Sequence, residues 1–148
     1  MTKCAEIKAE IVEKDELDNK GLRAILNFGH TIGHAVESAM DYVDISHGQA
    51  VALGMIAESI LAERLNMLSS SALARILNLI ISLSILPRSR DIPSCSKIIS
   101  RLKYDKKATQ GELRFVLPVK IGRVRIVDAP SQKIIRESLQ EAIRLCTG

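Results

Sequence analysis

Three histidines, His30, His34 and His47, are the residues of this chain best suited to chemistry, and they lie within 18 positions of one another. His30 and His34 are four residues apart, so on an α-helix their side chains lie on one face, one turn apart. Imidazole is the commonest metal ligand among side chains and titrates near neutral pH, so the cluster indicates metal binding or acid–base chemistry. The zinc-protease motif His-Glu-x-x-His is excluded, because Thr31 occupies the position of its general-base glutamate. A structural role, with hydrogen-bonded imidazoles in a helical core, is the alternative.

Helical periodicity predicts the elements that carry the first two histidines. Apolar residues at helical spacing predict a helix over residues 4–14, followed by a polar connection over 15–21. A second helix is predicted over residues 22–40, and it contains both of these histidines. Gly29 and Gly33 form a small-residue ridge beside them. The ridge indicates either close packing against a neighbouring helix or a backbone that lets a ligand approach, and the two are compatible.

His47 begins a third predicted helix. Ser46 and Gln49 match the capping-box pattern, so the helix starts at His47 and extends to about Met67. Its sequence is apolar on nearly all sides, which predicts a buried helix whose first turn lets His47 face a cavity.

The rest of the chain predicts further helices and one hairpin. The predicted elements are a core helix that includes residues 72–86, a short helix from Ser94 or Ser96 to about Tyr104, strands over 113–117 and 124–127 joined by a turn over 118–122, and a last helix from Ser131. The apolar stripe of the last helix is predicted to be Ile134, Ile135, Leu139, Ile143 and Leu145. The predicted fold is a single domain over residues 1–148, mainly α and multi-helical, with a small C-terminal β-hairpin.

The composition argues against several classes of protein. The net charge is +4, from 21 basic and 17 acidic residues, which suits an anionic small molecule but is too weak to indicate nucleic acid. Three widely spaced cysteines predict neither a disulfide framework nor a thiolate zinc site, and the expected compartment is a reducing cytoplasm. Residues 72–86 are short for a membrane span and contain Arg75 and Asn78, and no signal peptide is expected. We therefore expect no membrane and no nucleic-acid partner.

Two sequence runs around the histidines are specific enough to indicate a family. Residues 27–37 have the sequence Asn-Phe-Gly-His-Thr-Ile-Gly-His-Ala-Val-Glu, and residues 47–55 have the sequence His-Gly-Gln-Ala-Val-Ala-Leu-Gly-Met. They resemble the Asn-Phe-Gly-His-Thr-x-Gly-His-Ala-x-Glu and His-Gly-Glu-Ala-Val-Ala-x-Gly-Met runs of 3-dehydroquinate synthase, in its mainly helical C-terminal domain. The resemblance extends in order to residues 8–23 and 105–122, and so covers almost the whole chain.

The resemblance implies a metal site. His30 and His47 would be two ligands of a catalytic divalent metal, zinc or cobalt, and His34 would lie close to the substrate phosphate instead of binding the metal. Neutral imidazoles about 2.0–2.1 Å from zinc would leave coordination positions open for substrate oxygens. This assignment replaces the expectation, from helical spacing alone, that both neighbouring histidines are ligands.

The resemblance also implies residues that bind the charged groups of the substrate. Lys8 and Arg23 would contact its carboxylate and ring hydroxyls, and Asn27 and Lys106 would lie near its phosphate. Lys107 is an alternative to Lys106. A planar guanidinium matches a carboxylate, and an ammonium group acts as a point charge for phosphate.

The implied reaction converts 3-deoxy-D-arabino-heptulosonate 7-phosphate, a phosphorylated sugar acid, into 3-dehydroquinate and phosphate in the shikimate pathway to chorismate and the aromatic amino acids. NAD oxidises a ring hydroxyl transiently and is regenerated when the carbonyl is reduced again. The family binds NAD in an N-terminal α/β domain, and this sequence contains no glycine-rich nucleotide turn after a strand. We therefore expect that domain to be missing and the chain to be an inactive fragment or a truncated gene product on its own.

The sequence departs from the family pattern at the metal site as well. The third metal ligand of the family, a glutamate, belongs to the missing part, and Glu37 or Asp44 are the local carboxylates that could replace it. Gln49 stands where the family has glutamate, which keeps the capping role but removes a negative charge. A homodimer is compatible with the buried third helix. Two alternatives stay open: a related sugar-phosphate cyclase with a different substrate, and a non-catalytic helical interaction module.

Overall fold

The chain folds as a mainly helical domain with one C-terminal β-hairpin, as the sequence predicts. The computed structural model describes residues 2–14, 22–40, 45–108 and 113–147. Its elements are α1 (Thr2–Lys14), a 3-10 helix (Leu22–Asn27), α2 (His30–Ala39), α3 (His47–Arg64), α4 (Ser70–Ser82), a 3-10 turn (Ser89–Asp91), α5 (Cys95–Ala108), β1 (Arg114–Lys120), β2 (Arg123–Asp128) and α6 (Gln132–Thr147). The predicted connection over residues 15–21 lies outside the described ranges.

α3 is the central helix, and it packs against α2, α4, α6 and β1. Nearly every residue between Ala50 and Ala62 is buried, which confirms the prediction from its apolar sequence. The capping box is also confirmed, because the Ser46 hydroxyl accepts the Gln49 N–H while the Gln49 side chain accepts the Ser46 N–H. The helix ends at Arg64, three residues before the predicted end.

The predicted continuous helix over residues 22–40 is wrong, because the chain breaks it at Phe28 and Gly29. Gly29 has a φ of 84°, a left-handed conformation that side-chain-bearing residues rarely adopt, and it precedes the first residue of α2. The helical spacing of the apolar residues continues across this break, so periodicity alone could not locate it. His30 is therefore the first residue of a helix and not a residue in its middle.

α4 is not the core helix that its sequence predicts. Ile80 is its buried residue, whereas the Leu79 and Ile81 side chains are 61% and 44% exposed. The helix also ends at Ser82, well before Pro87, because Ser84 turns the chain with a left-handed φ of 53°. An apolar sequence predicted a helix correctly here, but not what packs against it.

The hairpin exists, but its turn is shorter than predicted. β1 and β2 pair antiparallel around a two-residue turn of Ile121 and Gly122, and Pro118 lies inside β1 opposite Val124. A two-stranded sheet has only edge strands, so a proline that lacks an N–H is tolerated within one of them.

α6 closes the core, with one error in its predicted stripe. Ile135 and Leu139 are buried as expected, but the side chain of Leu145 is 41% exposed. Ala142, which is not part of the predicted stripe, is buried. Arg64 at the end of α3 contacts two carboxylates of α6, those of Glu137 at 3.2 Å and Glu141 at 2.6 Å.

Within the described ranges, no helix combines the length and the apolar character that crossing a bilayer requires.

Candidate metal and substrate site

The three imidazoles converge at the start of two adjacent helices. The ring centroids are 5.4 Å apart for His30 and His34, 5.3 Å for His30 and His47, and 6.0 Å for His34 and His47. His30 and His47 are each the first residue of a helix, α2 and α3, and His34 lies one turn further along α2. The fold thus brings together all three histidines, although a break in the helix precedes the first.

Two of the three rings are held through the same nitrogen. Nδ1 of His30 lies 3.3 Å from the Phe28 carbonyl oxygen, and Nδ1 of His47 lies 3.1 Å from the Glu37 carboxylate. Both partner oxygens only accept, so in each neutral ring Nδ1 carries the proton and Nε2 keeps its lone pair. Metal-binding histidines usually have this arrangement, in which the other ring N–H donates to a carboxylate or a backbone carbonyl. Among the described hydrogen bonds, none holds a ring nitrogen of His34.

The electrostatic surroundings favour neutral imidazole at His30. Burial lowers the pKa of His30 below its ordinary value, and the nearby rings of His34 and His47 lower it further, whereas the Phe28 carbonyl acts in the opposite direction. A metal ion binds only the unprotonated ring, so a lowered pKa keeps His30 ready to bind one. The donor set therefore fits a divalent metal such as zinc.

A second possible set of ligands has His47 in common with the pair of His30 and His47. Ligand atoms of His34, Glu37 and His47 all lie within 4.8 Å of one another. Glu37, one of the two local carboxylates considered from the sequence, is buried and faces the site, with its side chain 12% exposed. Asp44, the other, lies outside the described residues. In the structure Glu37 contacts Nδ1 of His47, which is the arrangement of a residue that orients a ligand.

Glu58 also belongs to the site, and the sequence analysis missed it. Its carboxyl oxygens accept the backbone N–H groups of Gly29 at 2.7 Å and Ile32 at 3.2 Å, on either side of His30. The side chain is fully buried, and this burial raises the pKa of Glu58 to about 8 although the backbone N–H groups act to lower it. The available signal was a single carboxyl group within an otherwise apolar stretch of helix.

Small residues let α2 and α3 approach closely beneath the histidines. A Cβ added at Gly54 would collide with the Gly29 carbonyl oxygen and would lie 2.9 Å from the Gly33 nitrogen. A Cβ at Gly33 would lie 3.1 Å from Cα of Val51. The close-packing interpretation of the glycine ridge is therefore confirmed.

The predicted substrate-binding residues are placed less completely. Lys8 is exposed on α1, and Asn27 is exposed at the end of the first 3-10 helix, three residues before His30. The described hydrogen bonds of the imidazoles involve neither of them. The side chains of Arg23, Lys106 and Lys107 lie outside the described part of the structure, although the backbone places Arg23 in the same 3-10 helix and the two lysines in α5. Their roles stay predictions.

An apolar groove of about 710 Å³ lies between the first 3-10 helix, α4 and the hairpin. Its walls include Ile25, Phe28, Met55, Leu79 and Ile121. Exposed basic residues on its lining are Arg75, Lys120 and Arg123. None of the described residues that line the groove is a histidine.

Comparison with known proteins identifies the family of this chain. The family described as "3-dehydroquinate synthase C-terminal" matches residues 1–108. This chain belongs to that family. The 3-dehydroquinate synthase of Nostoc punctiforme is 45% identical over 143 residues, which are 95% of this chain and 38% of that protein. That of Rippkaea orientalis is 41% identical over 139 residues, 92% of this chain and 37% of that protein. The chain thus spans less than two fifths of the length of either relative.

Two solved structures of similar fold are consistent with this family assignment. A 2-deoxy-scyllo-inosose synthase complexed with carbaglucose-6-phosphate, NAD⁺ and Co²⁺ is similar with a TM-score of 0.75 and 27% identity, over 95% of this chain and 39% of that one. A 2-epi-5-epi-valiolone synthase from Streptomyces hygroscopicus with NAD⁺ and Zn²⁺ bound has a TM-score of 0.72 and 26% identity, over 91% of this chain and 37% of that one.

Proposed function

We propose that this chain is the metal- and substrate-binding part of a 3-dehydroquinate synthase of the shikimate pathway. It would convert 3-deoxy-D-arabino-heptulosonate 7-phosphate into 3-dehydroquinate and phosphate once an NAD-binding domain completes the site. The observation that carries the proposal is the paired orientation of His30 and His47, whose Nδ1 atoms are both engaged while their rings lie 5.3 Å apart. Relatives 41–45% identical that bear this enzyme name support the choice of reaction.

His30 and His47 would hold a zinc or cobalt ion through Nε2. When bound, such an ion polarises the hydroxyl and carbonyl oxygens of the substrate and orients them. Glu37 would keep the His47 ring in its ligating orientation. The similar structures with Co²⁺ or Zn²⁺ bound support a divalent metal. The third ligand and the NAD site would come from a domain outside this sequence.

The anionic groups of the substrate would be bound by the remaining predicted residues. His34, exposed beside the two ligands, would donate to the phosphate, and Asn27 and Lys106, or Lys107, would complete that pocket. Lys8 and Arg23 would bind the carboxylate and the ring hydroxyls. A carboxylate-binding pair favours a sugar acid as substrate. It argues against the alternative of a cyclase whose substrate is a sugar phosphate without a carboxylate.

Two partners are part of the proposal: the NAD-binding domain and a second copy of the chain in a homodimer. The relatives are about two and a half times as long as this chain, so they contain room for such a domain. The cytoplasm is the proposed compartment, as for a biosynthetic enzyme that uses NAD. In the alternative of a non-catalytic helical module, the fold would be kept without metal binding.

Titration of the purified chain with Co²⁺ tests the metal site through the visible absorption of the bound ion. We expect His30→Ala and His47→Ala each to weaken Co²⁺ binding by at least about 100-fold, whereas His34→Ala changes it by less than about 3-fold. Loss of affinity in His34→Ala and Glu37→Ala, with His30→Ala unchanged, would instead support the second set of ligands. No Co²⁺ binding by the wild-type chain, even after fusion to the N-terminal part of the Nostoc punctiforme relative, would support the non-catalytic module.

Activity of the same fusion tests the reaction. We expect the fused protein to release phosphate from the sugar acid phosphate in the presence of NAD⁺, and the unfused chain to release none. Turnover by the unfused chain would contradict the need for a further domain. A fusion that binds Co²⁺ and accepts only a sugar phosphate without a carboxylate would identify a related cyclase.

A further inference from the structure

We propose that Glu58 is a positioning residue that holds the turn carrying His30 in place from the neighbouring helix. The inference rests on the proposed function, because it takes His30 as a metal ligand. It adds a residue to the site that lies outside both histidine motifs.

The contacts of Glu58 replace a missing helix cap. The first N–H groups of an α-helix have no partner within the helix, and a side chain at the N-cap usually accepts one of them. Gly29 is the N-cap of α2 and has no side chain to do so. Glu58 takes this role from α3, because one of its carboxyl oxygens accepts the N–H of Gly29 and the other that of Ile32.

The position of Glu58 along α3 connects it to the other proposed ligand. Glu58 lies 11 residues after His47 on one continuous helix, or roughly 16 Å along its axis. Gly54 lies between them, where α3 meets the Gly29 carbonyl too closely for any side chain. A single rigid helix therefore presents His47 at its start and fixes the backbone on both sides of His30. In this way α3 sets the separation of the two imidazoles.

The carboxyl group suits this role because it has two acceptor oxygens. Removing it would leave two buried N–H groups without partners, which is unfavourable because neither would be bonded to water or protein. The turn would then relax toward water or toward another acceptor, and the His30 ring would move with it. A residue that only stabilised the fold would lower stability without moving the ring, and the experiment separates these two outcomes.

The experiment compares Glu58→Ala with Leu139→Ala in the full chain. Leu139 is fully buried in α6 and serves as a control that loses stability without touching the turn. Three quantities are measured for each folded variant: amide hydrogen exchange at Gly29 and Ile32, nuclear Overhauser contacts between the His30 and His47 rings without metal, and Co²⁺ affinity. We expect Glu58→Ala to accelerate exchange at the two amides, to weaken the contacts between the rings, and to lower the Co²⁺ affinity by about 10-fold.

Leu139→Ala should leave the ring contacts and the affinity unchanged. The proposal is overturned if folded Glu58→Ala keeps the same ring contacts and Co²⁺ affinity as Leu139→Ala. If Glu58→Ala does not fold, Glu58→Gln replaces it, because the amide keeps one acceptor, and a smaller change in the same direction is expected. An unchanged Glu58→Gln then overturns the proposal. A wild-type chain that binds no Co²⁺ even after fusion to the N-terminal part of the Nostoc punctiforme relative argues against the proposed function instead, while the ring contacts and amide exchange still decide the role of Glu58.

Discussion

α3 and α4 both consist mainly of apolar residues, but only α3 is surrounded by other elements. α3 packs against four elements and buries most of its residues, whereas α4 packs mainly against α3 and leaves Leu79 and Ile81 in solvent beside the apolar groove. What α3 has in addition is Gly54, which permits contact with the α2 backbone, and Glu58, which satisfies buried N–H groups there. The comparison shows that apolar content alone does not make a helix central. Close approach and satisfied polar groups fix the geometry of α3, and these features lie beside the histidines.

Gly54→Ala tests the close contact most severely. The added Cβ would meet the backbone of Gly29 and Gly33, which cannot turn aside as a side chain could, so we expect a loss of about 3 kcal/mol in the free energy of unfolding. Gly48→Ala is the matched control on the same helix, because nothing lies within 4 Å of its added Cβ. It should leave stability unchanged or raise it by up to about 1 kcal/mol. Urea unfolding followed by circular dichroism measures both, and equal stability of the two variants would contradict the close packing.

The pH dependence of stability tests the buried carboxyl group of Glu58 in α3. Helix α4 has no acidic residue. The folded state holds the proton of Glu58 up to a pKa of about 8, whereas the ordinary value is 4.5. Between these values the unfolded chain binds fewer protons, so stability falls as pH rises, by at most about 1.4 kcal/mol per pH unit. The fall should be complete above about pH 8. The free energy of unfolding is measured for wild type and for Glu58→Gln from pH 4 to pH 9. The difference between the two proteins at each pH isolates Glu58, because the contributions of the other titratable groups cancel. A difference that is independent of pH would show that the carboxyl group ionises normally.

Glu37→Gln tests how the His47 ring at the start of α3 is held. The amide oxygen can still accept from Nδ1 of His47, but the negative charge that would stabilise a metal-bound imidazole is lost, so we expect Co²⁺ affinity to fall by about 10-fold. Glu63→Gln provides a control on α3 itself, since Glu63 accepts the Ser70 hydroxyl far from the imidazoles. A loss as large as that of His47→Ala would identify Glu37 as a direct ligand.

Leu79→Gln should have the smallest effect. The Leu79 side chain is 61% exposed, and glutamine has a similar helix propensity, so stability should change by less than about 0.5 kcal/mol. Ile80→Ala, one residue away and buried, should lower it by about 2–4 kcal/mol. A substantial loss for Leu79→Gln would mean that α4 is covered in solution.

The sequence alone predicts the helices and the hairpin, because helical periodicity and capping are local properties. The capping box of Ser46 and Gln49 places the start of α3 correctly, since both partners lie within four residues. The break at Gly29 could not be predicted from local pattern, because the helical spacing continues across it and the carboxyl group that accepts the Gly29 N–H lies 29 positions away. The exposure of α4 escapes prediction for a similar reason: an apolar sequence does not specify its neighbours.

At the site, the sequence predicts which histidines matter but not how they are held. The family motifs single out His30 and His47, and the structure adds that both Nδ1 atoms have acceptors while the described bonds hold no ring nitrogen of His34. Ring orientation depends on side-chain packing between two helices, which a linear motif does not encode. The sequence indicates Glu37 only as a replacement ligand, whereas its contact with His47 depends on the three-dimensional arrangement of α2 and α3.

The hydrogen bond from the Thr31 hydroxyl to the Arg114 carbonyl has a consequence for the order of folding. The contacts that orient the imidazoles join residues at most 29 positions apart, whereas this bond closes a loop of 83 positions. The longer loop carries about 0.9 kcal/mol more closure entropy than the shorter one. We therefore expect the contacts of the histidine pair, which close the shorter loops, to form before the hairpin is attached to the first turn of α2.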